Sequence, residues 1–71
     1  IKLTEIVLEK NNPWVGLRID ELDISRHSVI ILIKRRTKRI LPKGDIVLRA
    51  GDRVFLYTKL HLSNANEIDI Y

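Results

Sequence analysis

The stretch that decides the fold runs Ile40-Leu-Pro-Lys-Gly-Asp-Ile-Val-Leu-Arg-Ala-Gly-Asp-Arg-Val-Phe-Leu-Tyr57. Leu41-Pro42-Lys43-Gly44 has the composition of a type I turn, with Pro fixing φ at the second position and Gly at the fourth. Ala50-Gly51-Asp52 supplies the next reversal, because Gly tolerates the positive φ that a sharp turn requires. Ile46-Val47-Leu48 and Val54-Phe55-Leu56-Tyr57 are β-branched and aromatic runs of strand length. The stretch therefore reads as strand end, turn, short strand, turn, strand. It contains no catalytic constellation.

Upstream of it, Ser28-Val-Ile-Ile-Leu-Ile-Lys34 carries five consecutive large aliphatics. Such a run implies a strand covered on both faces. Arg35-Arg36-Thr37-Lys38 makes a hairpin tip, and Arg39-Ile40-Leu41 returns antiparallel. Further back, Lys2 to Lys10 has the apolar centre and charged ends of another strand, broken by Asn11-Asn12-Pro13. Val15, Ile19 and Leu22 are spaced i, i+4, i+7, which predicts a short helix over Val15 to Leu22 with Arg18, Asp20 and Glu21 facing water. Trp14 caps the core beside the helix start. After Tyr57, a last helix begins near Thr58 or Ser63.

At 71 residues the chain is one small domain, spanning 1–71, with a hydrophobic content of 45%. That is compatible with a core and too high for a disordered segment. The chain has no cysteine, so neither disulfides nor thiolate metal sites reinforce it. Stability must come from neighbouring domains or self-association. The start on Ile1-Lys2-Leu3 looks like the interior of a strand, so the chain reads as a domain cut from a longer protein. No apolar run approaches the ~20 residues needed to cross a bilayer.

The net charge of +4 is uneven. Residues 1–26 hold four basic and five acidic side chains, whereas Lys34 to Arg53 hold eight basic residues against Asp45 and Asp52. A basic patch can serve an anionic ligand, a phospholipid surface or nucleic acid. It can also be a solvated hairpin tip that protects a sheet edge. Catalytic chemistry is scarce. His27 and His61 sit in different elements, and Asp20, Glu21 and Asp23 lack the cysteine or spaced histidine of a metal site. No P-loop, Gly-x-Ser-x-Gly or Gly-x-Gly-x-x-Gly is present. The expectation is a protein without enzymatic activity.

Four fragments in order resemble a known family: Pro13-Trp14-Val15-Gly16, Ile19-Asp20-Glu21-Leu22, Val29 to Arg35, and Ile40-x-Pro42-x-Gly44-Asp45-x-Val47-Leu48-x-x-Gly51-Asp52-x-Val54. Together they resemble the TrkA C-terminal domain, also called RCK-C, with the pattern clearest over 3–57. Two departures are the cationic Arg36-Thr37 tip and the tail after Lys59. The resemblance implies an α+β fold: a small, mostly antiparallel sheet with a short helix after the first strand, dimeric. It further implies a regulatory module on the cytoplasmic face of the cell membrane, acting on the membrane-embedded transport part of its own protein or complex. The transport systems implied are potassium channels and uptake systems, cation/proton antiporters and ClC-type chloride/proton exchangers. In such domains the dimer interface can bind cyclic di-AMP.

Carried over by position, the ligand-facing residues are Arg26, His27, Ser28, Val29 and Ile30 at the start of the central strand, with Pro42 from the hairpin. An Arg beside a two-fold axis suits bidentate phosphate contact. No metal is implied. Plain core and interface packing of Ser28 to Ile30 competes with this reading. Two further functions compete: a ligand-free dimerisation module, and a nucleic-acid-binding module using the basic 34–53 region. Against the latter stand the missing aromatic platform and the absence of a helix-turn-helix or RNA-binding motif, so no nucleic acid is expected as partner.

Overall fold

The computed structural model describes residues 2–59. Four strands, β1 (Lys2–Val7), β2 (Ser28–Arg35), β3 (Lys38–Ile40) and β4 (Arg53–Thr58), form one antiparallel sheet in the order β1-β4-β2-β3. β4 lies at the centre, with Val54 opposite Ile6 on one side and opposite Ile33 on the other. β2 and β3 form the expected hairpin, paired from Ile33↔Ile40 to Arg35↔Lys38. The two-residue tip is Arg36-Thr37, with Arg36 at φ 57°.

The aliphatic run does not alternate as a regular strand. A bulge between Ile30 and Leu32 shifts the register, so that Ile30 faces Leu56 and Leu32 faces Phe55. A bulge inserts one residue and resets the period of two. Ile30 and Ile33, three positions apart, are thereby both buried on one face beside Val54. Val29 and Ile31 remain 50% and 46% exposed. One face of β2 is covered by the core, and the other carries the half-exposed Val29 and is not packed against another element among the described residues.

The expected helix over Val15 to Leu22 is absent. In its place stands one 3₁₀ turn, Ile19–Glu21, and the described residues hold no α-helix. The α+β expectation is corrected to a four-stranded sheet covered by irregular segments. Gly16 lies at φ 92°, outside any right-handed helix. The backbone of 16–20 bonds across to 44–48 instead: the Gly16 amide donates to Leu48, Ile19 to Ile46 and Asp20 to Gly44, while the Leu48 amide donates to Leu17, all at 2.8–3.0 Å. Val15, Ile19 and Leu22 still pack against the core, as does Trp14. Their burial follows the apolar pattern; their conformation follows the partner segment.

The same pairing revises the 40–48 stretch. Ile46-Val47-Leu48 is not a strand of the sheet; Val47 makes only an isolated bridge with Arg18. The four-residue turn lies two residues later than expected, with the Ile46 amide bonding Lys43 at 3.0 Å, while the Lys43 amide bonds Leu41 at 2.8 Å. Gly44 sits in a close approach, since an added Cβ would come 3.3 Å from the Asp20 Cβ. Thr58 ends β4, so no helix begins at that residue, and a helix from Ser63 lies outside the described residues.

Asp52 is the only buried charged residue among those described. Its two carboxylate oxygens accept Arg35 Nε and Nη2, each at 2.8 Å, and one also accepts the Arg49 amide at 2.9 Å. Arg35 Nη2 reaches the Val47 carbonyl at 2.9 Å as well. Burial pushes the Asp52 carboxyl up, but the Arg35 hydrogen bond, the Arg49 amide and the neighbouring guanidinium charges outweigh it and hold the group below its ordinary range.

Two expected outcomes follow from these contacts. Asp52→Asn leaves Arg35 without its charge partner and should cost roughly 2–4 kcal/mol, less than a fully buried pair because Arg35 is partly exposed. Because folding lowers the Asp52 pKa, its stabilisation is complete above the unfolded value near ~3.9 and drains as pH falls through the lower folded value. Urea melts across acid pH should show that loss in the native chain and a flatter profile in the variant; parallel profiles contradict the pairing. Gly51 sits at φ 90° in the Arg49–Asp52 turn, with open space where a Cβ would stand. Gly51→Val and Gly51→Ala should therefore each destabilise by about 1–3 kcal/mol through backbone strain alone. An unchanged melting temperature contradicts this.

Candidate functional site

The start of β2 is fixed by the loop before it. Ser25 accepts the Ser28 amide at its carbonyl (2.9 Å) and the His27 amide at its hydroxyl (3.1 Å). This local turn is what Ser does well outside regular structure. It leaves Arg26 exposed at the bend. Beyond it, Ser28 pairs with Thr58 and Val29 with Tyr57 across β4. The Ser28 and Thr58 hydroxyls are 2.9 Å apart, and the Lys59 amide donates to the His27 carbonyl at 3.0 Å.

These contacts frame a hollow of about 160 Å³ lined by Arg26, His27, Ser28, Val29, Tyr57 and Lys59. Val29 and Tyr57 give it an apolar wall, and Arg26 and Lys59 supply cations. Four of the six residues expected from sequence are thus brought together. Ile30 is not among them: it is 5% exposed and belongs to the core. Pro42 does not line the hollow either. Tyr57 and Lys59 are the residues that sequence reasoning missed. The hairpin logic pairs β2 with β3, its neighbour in sequence. No short-range signal shows that β4 inserts on the other side.

The hollow sits at the edge of a larger feature. Partners across a sheet share a face, so Leu3, Tyr57 and Val29 lie together on the side away from the core, and Phe55 and Leu32 beside them. Leu3 is 61% exposed. Charge borders this apolar surface: Glu5 and Arg53 approach to 3.5 Å, and Lys34 Nζ stands 5.4 Å from the Phe55 ring centre. Among the described residues no group of His, Cys, Asp and Glu could hold a metal ion. None of their helices is long and apolar enough to cross a membrane.

Comparison with known proteins matches residues 3–64 to the TrkA-C domain family. The Trk system potassium uptake protein TrkA of Mycobacterium tuberculosis, strains CDC 1551 and H37Rv, is 35% identical over 52 residues. The match takes in 73% of this chain and 24% of that protein, so the chain spans about a quarter of the relative's length. Among solved structures, an RCK domain with cda superposes with a TM-score of 0.67 at 26% identity, covering 84% of this chain and 83% of that one.

Proposed function

This chain belongs to the TrkA-C domain family, and we propose that it is the ligand-sensing and dimerisation domain of an ion-transport regulator, with potassium uptake as the transported class. The observation that carries this reading is the open outer face of the sheet, with the Arg26 hollow at its edge. Val29 and Tyr57 belong to both. A second copy packed on this face buries exposed aliphatics and sets two hollows about one two-fold axis.

A single hollow of about 160 Å³ is below the ~300–1,000 Å³ usual for small-molecule sites. Two of them across an axis enter that range. The proposed ligand is a two-fold symmetric cyclic dinucleotide, cyclic di-AMP. Arg26 meets phosphate, Val29 and Tyr57 hold the base, and Ser28 and His27 fix the strand start through their bonds to Thr58 and Lys59. Ile30 positions Val29 from the core side. The relative's role in potassium uptake and the RCK structure with cda support the choice of system and ligand class. Ligand binding favours one dimer geometry, and that population shift reaches the transport part on the cytoplasmic face of the membrane. Cation/proton and ClC-type systems are the other transporters that such a module fits.

Sedimentation at micromolar concentration should give a dimer. Calorimetry with cyclic di-AMP should give half an equivalent per chain, and Arg26→Ala should weaken binding by about 1.5–3 kcal/mol if the contact is charge-assisted. A monomer throughout removes the interface. A dimer with no heat leaves a ligand-free dimerisation module, and binding unchanged in Arg26→Ala moves the site elsewhere.

A further inference from the structure

The far end of β2 holds a second hollow, seven residues from the first and so roughly 20–25 Å away along the strand. It measures about 410 Å³ and is lined by Arg35, Arg36, Arg49, Ala50, Gly51 and Asp52. Three arginines and one aspartate are among its lining residues, which leaves an excess of two positive charges. The carboxylate is already engaged by Arg35 and the Arg49 amide. Arg36 and Arg49 are exposed, and neither makes an ion pair among the described residues.

Arg36 is also kept where an arginine is costly. It occupies the first position of a two-residue hairpin loop at φ 57°, a place that Gly, Asn or Asp fills at less strain. Backbone strain retained at a surface cation is an outlier that points toward use.

We propose that this hollow is a phosphoryl-binding site. It takes a phosphate monoester, whose charge of about −1.5 to −2 matches the local excess, or the more highly charged pyrophosphate group. Arg36 and Arg49 donate charge-assisted hydrogen bonds from opposite sides, while Arg35 stays locked to Asp52 as the floor. A single carboxylate would leave one guanidinium unneutralised. The site shares no residue with the Arg26 hollow and does not depend on the reading given to it. A soluble phosphorylated molecule and a phosphomonoester lipid headgroup present the same chemistry.

The test titrates inorganic pyrophosphate into the ¹⁵N-labelled chain, and separately sediments the chain with phosphatidylcholine vesicles containing phosphatidic acid or, as control, phosphatidylglycerol. Saturable amide shifts at Ala50 and Gly51 identify a soluble phosphoryl ligand. Sedimentation selective for phosphatidic acid identifies a headgroup. Either supports the site. Arg36→Gly, which also relieves the positive φ, and Arg49→Gln should each weaken the observed binding at least about tenfold. Lys2→Gln removes an exposed cation at the opposite end of the sheet, beside Thr58, and should change it less than about twofold. Absence of binding in both arms overturns the proposal, as does equal loss in the Lys2 control or binding untouched by either arginine variant.

Discussion

The Asp52 carboxylate is the constraint on which the rest of the molecule depends. Three donors converge on it: two from Arg35 at the end of β2 and one from the Arg49 amide in the turn before β4. Through Arg35 it also reaches Val47 in the covering layer. The adjoining backbone ties in β1, with the Leu8 amide on the Asp52 carbonyl and the Gly51 amide on the Leu8 carbonyl. One buried charge thus fixes where the central strand begins, where its neighbour ends and how the cover attaches. In a chain with no disulfide, metal ligand set or α-helix among the described residues, such a node substitutes for core size. Burying it is tolerable only because every part of the carboxylate has a donor.

The sheet built on that node has two unequal faces. Ile30, Ile33, Val54 and Leu8 turn inward under the 13–24 and 44–48 segments. The bulge at Ile31 brings Ile30 and Ile33 onto the same side, and it leaves Val29 and Ile31 outward. An outward aliphatic surface on a small sheet is costly in water and favours association. The apolar surface runs into the Arg26 hollow through Val29 and Tyr57. In the function proposed above, packing of a second copy on this face and ligand sensing become one event.

Much of this was legible in the sequence, and what was not has physical reasons. β1, β2, β4, the Arg36-Thr37 tip and the turn at Gly51 follow from apolar runs and turn chemistry, whereas the strand expected at 46–48 is only an isolated bridge, and the four-fragment resemblance gave the family. Val15, Ile19 and Leu22 pack against the core, as their apolar spacing indicates. That spacing, i, i+4, i+7, fits a helix and also fits an extended segment bent at Gly16. Only the hydrogen-bond partners at 44–48 distinguish the two. The clustering of Arg26 to Val29 was visible, but Tyr57 and Lys59 join them through a pairing between residues about thirty positions apart, which local pattern does not encode. Asp52 reads as a surface charge in a basic region until Arg35 is placed over it.

The central claim is that the outer face of the sheet is where two copies meet. An isotope-filtered nuclear Overhauser experiment on a mixture of labelled and unlabelled chains measures this directly. The expected result is a set of intermolecular contacts from the Val29, Ile31 and Tyr57 side chains, the hollow and the face appearing together. Intermolecular contacts confined to β3 or to the 44–48 segment, or none from the outer face, would contradict it.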